Sequence, residues 1–145
     1  MALAFSVSRY LLGVILLATS IGKLLDVPGF VQVIGTYQAL PEVVVPLVAV
    51  CIVLLELKLS EGFLFYQAKS LGLQRVALAS AFLHLLFSVL AIVTLLRGIE
   101  LQNCGCFGVF LARPLSWQTP VEDFVLVAIS LFVFRFSFRS KDSAE

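Results

Sequence analysis

The chain has 145 residues, of which 61% are hydrophobic and only 13% charged, with a formal net charge of +1. A water-soluble globule of this length cannot hide that much apolar surface, so the composition places the chain in lipid. The near-neutral balance and the scattered Lys and Arg residues give no field that would favour nucleic acid.

A first apolar stretch covers about Phe5 to Leu25, with Arg9 and Lys23 near its ends. It is read as a membrane span, because a cleaved signal peptide would need basic residues before its apolar core and only Arg9 is there. Residues 27–40 are interrupted by Pro28, Gly29 and Gly35, yet Phe30, Ile34 and Tyr37 recur at helical spacing. A short amphipathic segment in the interface is expected there.

A second span is expected over residues 43–65, carrying Glu56, Lys58 and Glu61; Lys58 and Glu61 are spaced to pair on one helix face. Cys51 in the same stretch reads as a buried, inert thiol. The third span, from Val76 to Leu96, carries no formal charge and is followed by Gly98, a helix stop. His84, the one histidine, falls near its middle. A fourth span, over residues 120–136, opens on Thr119-Pro120-Val121-Glu122, which has the pattern of a capping box. Trp117, Tyr37 and Tyr66 sit where interfacial aromatic anchors are expected, and the thirteen phenylalanines read as lipid-facing or packing residues. The expectation is an all-α, polytopic membrane protein: one domain over residues 1–145, a four-transmembrane-helix bundle with an interfacial segment between its first two spans.

Arg9, Lys69, Arg75, Arg135, Arg139 and Lys141 fall on one side of such a bundle, and Lys23, Arg97 and Arg113 on the other. The positive-inside rule then sets both termini in the cytoplasm of a bacterial inner membrane and the loop over residues 98–119 outside it, in a compartment that tolerates oxidised thiols.

That loop holds Cys104-Gly105-Cys106. Two cysteines so close can approach each other only through a sharp backbone bend, which glycine permits. Closing so small a ring adds little stability, and its strain favours reduction, so a redox pair explains the spacing better than a staple does. Zinc would need four ligands, whereas two thiolates alone could hold a soft ion such as Cu(I); metal or small-solute handling is therefore a rival reading, and a non-catalytic accessory subunit of a larger membrane complex is another.

Arg9, Gly13, Gly22-Lys23-Leu24-Leu25-Asp26, Phe30, Tyr37, Leu40-Pro41, Glu56 and Cys104-Gly105-Cys106-Phe107-Gly108 together resemble the MauE family of methylamine-utilisation membrane proteins, related to DoxX-like proteins. The sequence departs from that pattern after Glu56, where Leu57-Lys58-Leu59-Ser60 stands in place of a nearby glycine, and Glu56 and Glu61 both remain candidates for the family's glutamate. The resemblance implies a four-span protein of extracytoplasmic thiol chemistry. Its partner would be a thioredoxin-fold protein or a cysteine-containing client undergoing maturation, with Phe107 and Gly108 supporting the cysteines.

Several other side chains have two readings each. Lys23 either stabilises a thiolate or snorkels to the interface paired with Asp26. Glu56 either pairs with Arg9 or carries protons. His84 either bonds a neighbouring helix or serves a quinone, the convenient membrane sink for electrons.

Overall fold

The computed structural model describes residues 2–68 and 70–139, which form five helices and no strand: α1 (Ala2–Leu24), α2 (Val27–Thr36), α3 (Val45–Phe65), α4 (Leu71–Leu96) and α5 (Gln118–Arg139). Lys69 and Lys141, counted above in the charge asymmetry, lie outside the described residues.

Local signals set the boundaries. Asp26 ends α1 and caps α2, its carboxylate accepting from the Gly29 N–H at 2.9 Å, with a proline in the first turn. Ser70 caps α4 by accepting from the Leu73 N–H at 3.1 Å, so this helix begins five residues before Val76. Gly98 stops it at φ +70, a conformation glycine adopts without penalty. The fourth expected span starts earlier than foreseen, and its capping box is not formed. Glu122 points back to the loop and pairs with Arg113, while the Thr119 N–H donates to the Ser116 carbonyl.

α1 packs antiparallel on α3, and α4 on α5; the two pairs meet along narrower seams, α1 with α5 and α3 with α4. Close approach of α1 and α3 is sealed by Ser60, whose hydroxyl donates to the Gly13 carbonyl at 2.8 Å. Leu12, Leu16, Phe63, Leu73 and Val133 fill the core. The core also buries Ser20, Ser60, Ser80, Ser88, Ser130 and Ser137, whereas Leu3, Val14, Phe82 and Leu86 are exposed. Small hydroxyl residues inside and large apolar ones outside suit helices packing in lipid, where apolar exposure costs nothing and polar groups seek one another.

Leu3–Leu24 and Leu71–Leu96 are long and apolar enough to cross a membrane. α3 and α5 are of similar length, but Glu56, Lys58 and Glu61 interrupt the one, and Glu122, Asp123 and Arg135 the other. The short segment expected after the first span is the helix α2, and its apolar face is packed on the protein: Phe30, Val33 and Tyr37 are buried against α3 and the cysteine loop. Tyr37 is therefore no surface anchor, whereas Trp117 and Tyr66 are exposed as anchors would be. Cys51, expected in the core, is exposed on α3.

Candidate functional site

The loop between α4 and α5 is pinned by its backbone before any side chain acts. The Cys104 N–H donates to the Arg113 carbonyl and the Leu115 N–H to the Leu101 carbonyl, both at 2.9 Å, clamping the loop's two arms together. Between them Asn103 accepts from the Gly105 N–H at 2.8 Å and donates to the Gly108 carbonyl at 3.1 Å. Gly105 and Gly108 have φ of +74 and +73, so the chain doubles back twice within five residues. The bend expected at Gly105 is thus present, and it brings the Cys104 and Cys106 sulfurs to 2.8 Å as free thiols.

Two helices support this turn. Gly22 at the end of α1 lies so close to the loop that a Cβ there would strike the Phe107 carbonyl oxygen, and one on Gly108 would strike the Gly22 carbonyl. A Cβ on Gly105 would stand 2.9 Å from Val33 Cγ1 on α2. The Tyr37 hydroxyl donates to the Cys104 carbonyl at 2.7 Å, and Arg97 holds the end of α2 by donating to the Tyr37 carbonyl at 3.2 Å. Burial and the two nearby sulfurs push the Tyr37 phenol up, which keeps it a neutral donor.

The sulfurs are not equivalent. With Cys104 as the thiolate, the Cys106 thiol donates to it across the 2.8 Å between the sulfurs, and the Arg113 guanidinium lies nearby, without a hydrogen bond of regular geometry to the sulfur. Together they outweigh burial and bring Cys104 down to about 6. Cys106 is pushed up, first because it is the donor of that bond and then by burial, so the pair carries its one thiolate on Cys104. Arg113 itself is oriented by Glu122, which takes both terminal nitrogens, one at 3.0 Å; its Nε is buried and meets no partner among the described residues. Cys104 is buried and Cys106 only partly so.

Lys23 does not snorkel and does not pair with Asp26. It is 3% exposed, and its Nζ donates to both oxygens of Glu56 at 2.6 and 2.8 Å, with the Thr19 hydroxyl 3.2 Å from Glu56 Oε2. The antiparallel register of α1 and α3 decides this: it sets Thr19 and Lys23 opposite Glu56 and carries Arg9 to the far end, where it donates to the Phe63 and Tyr66 carbonyls instead of meeting Glu56. Glu61 is exposed and pairs with Lys58 at 2.8 Å, as the spacing suggested, which leaves Glu56 as the buried glutamate. Among the described residues His84 makes no interhelical bond; its Nδ1 donates to the Ser80 carbonyl of its own helix at 2.8 Å.

A cavity of about 660 Å³ joins these groups, running between the two helix pairs from Cys104, Cys106 and Arg113 past Lys23 and Glu56 to His84. α1 lines it with Leu11, Ile15, Thr19 and Lys23, a strict i+4 stripe, and α3 with Val48, Ile52 and Glu56 on the same period. Arg113, Glu122, Asp123 and Asn103 were not singled out as site residues from the sequence. Only the i+4 stripe ending at Lys23 could have been read there; the others depend on the path of the loop.

Fold and site together define a helical membrane protein that holds a dithiol against a polar-edged, otherwise apolar cavity. Residues 1–136 match the family described as methylamine utilisation protein MauE, and the chain belongs to that family. It is 29% identical over 125 residues to the methylamine utilization protein MauE of Paracoccus denitrificans, an alignment that covers 86% of this chain and 65% of that relative. No solved structure matches the chain.

Proposed function

We propose that the protein is a thiol–disulfide exchange component of the membrane, in which Cys104 and Cys106 cycle between dithiol and disulfide. One observation carries the reading: two sulfurs 2.8 Å apart, only one of them acidified. A thiolate stabilised in the dithiol form favours reduction of the pair, so the disulfide form is an acceptor of electrons from other thiols.

The asymmetry supports distinct roles for the two sulfurs. An incoming thiolate attacks Cys106, because the sulfur displaced is then Cys104, the better leaving group; the Cys104–Cys106 bond breaks and Cys104 leaves as the stabilised thiolate. A second thiol of the partner, as thiolate, then attacks the partner sulfur of the mixed disulfide. The partner becomes a disulfide and Cys106 is released to take up a proton. The partner is a thioredoxin-fold protein or an extracytoplasmic client with paired cysteines. The four long helices α1, α3, α4 and α5 are the spans, both termini are cytoplasmic, and the dithiol faces outward from a bacterial inner membrane. In that arrangement Arg9, Arg75 and Arg135 lie at the cytoplasmic end, and Arg97 and Arg113 at the other. By its relative's name, the setting is methylamine utilisation.

Replacing each cysteine singly by serine in cells, with acid quenching, tests the assignment. Cys104→Ser should accumulate a mixed disulfide formed in the reverse sense, Cys106 attacking the disulfide of the oxidised partner and displacing one of its thiolates, and Cys106→Ser should trap at least tenfold less. Thiols of the unaltered protein found permanently reduced, with no adduct from either variant, would instead favour an accessory subunit that uses the scaffold for assembly.

A further inference from the structure

We infer that the cavity between the helix pairs binds a quinone, which takes the electrons of the reduced dithiol. This deepens the exchange reading above and rests on it: a pair that accepts electrons from a partner must hand them on before it can act again.

The cavity's size suits a ring with part of an apolar tail, within the roughly 300–1,000 Å³ usual for ligand pockets. Its walls are dominated by side chains such as Ile15, Ile52, Phe87 and Leu126, drawn from all four long helices. Besides Thr19 and the Arg113, Glu122 and Asp123 group by the loop, the cavity has three polar features that bear on a two-electron carrier. Cys104 and Cys106 close one end. Lys23 spends two of its three donors on Glu56, and the third is left for a carbonyl oxygen. His84, whose Nδ1 donates to the Ser80 carbonyl, presents Nε2 as an acceptor that meets no partner among the described residues, suited to a quinol hydroxyl. An apolar ring with an oxygen at each end, able to accept two electrons, answers all three; a metal ion or a hydrophilic solute leaves the apolar walls unexplained.

The step balances. The Cys104 thiolate adds to a ring carbon, and the Cys106 sulfur, giving up its proton, then attacks Cys104 Sγ. The carbon–sulfur bond breaks with its electron pair returning to the ring. The ring takes up one proton from Cys106 and one from solvent, so that dithiol and quinone become disulfide and quinol.

The test uses the full chain in lipid nanodiscs with Cys51→Ser, reduced and freed of reductant, and mixed with a fully substituted benzoquinone carrying a decyl tail. Quinone absorbance and free thiols are followed together, and oxidation by a small aromatic disulfide is measured in parallel on the same sample. One quinol should form per disulfide. Ile52→Trp and Leu126→Trp, from opposite walls, should each lower the ratio of quinone rate to small-disulfide rate at least tenfold, and His84→Ala should lower it several-fold. Thiols that react with the small disulfide yet yield no quinol, or a ratio untouched by both tryptophans, would overturn the quinone site while leaving exchange standing. Thiols inert to both oxidants would overturn the two readings together.

Discussion

Cys104 is acidified by what surrounds it, chiefly the Cys106 thiol and then the Arg113 guanidinium, and that has a direct kinetic signature. Site-resolved alkylation of the reduced protein by a small neutral reagent should be flat above about pH 6 and fall tenfold per pH unit below it, because only the thiolate reacts. An ordinary thiol would keep gaining rate up to about pH 8.5, and such a profile at Cys104 would remove the basis for its role as leaving group. Arg113→Gln should move the inflection upward while leaving Cys106 the less acidic of the two. Arg113 shows where reading a sequence stops. Its distance from Cys104 along the chain says nothing of contact until the loop's two arms are clamped, through the Cys104 N–H to the Arg113 carbonyl. Gly105 is the opposite case, since two nearby thiols leave the backbone between them little choice but a left-handed bend.

Between elements, the buried Lys23–Glu56 pair joins α1 to α3 at the cavity wall. Removing one partner strands a charge in a low-dielectric interior, so Glu56→Ala should cost about 3–5 kcal/mol in a denaturation series in mixed micelles, whereas the double change Lys23→Met with Glu56→Leu should cost far less. Equal losses from the two would mean that the pair's shape matters more than its charge. The close backbone approach of Gly22 to Phe107 makes a second prediction. Gly22→Val should leave α1 helical but lift the loop, so that the Cys104 alkylation profile reverts toward that of an ordinary thiol. The long helices were legible from their apolar runs, and α2 from its proline and its periodicity. The ion pair was not, because composition shows which charges are buried and only the register shows whom they meet: Asp26 caps α2, and Arg9 is spent on carbonyls. Glu122 was misread for a related reason. Its position three residues after Thr119 fits a capping box, yet a guanidinium across the loop is the stronger partner.

At the scale of the whole molecule, an apolar exterior, a serine-lined interior and a dithiol at one end of the bundle make a coherent membrane device. The proposed orientation, with the cysteine loop outward, belongs to this scale and is open to direct test. The most direct measurement is sided labelling of Cys104 and Cys106 in intact cells carrying Cys51→Ser, using a membrane-impermeant maleimide before and after mild reduction. The account predicts labelling from outside that rises sharply after reduction. Labelling only in broken cells, or the same labelling with and without reductant, would contradict it.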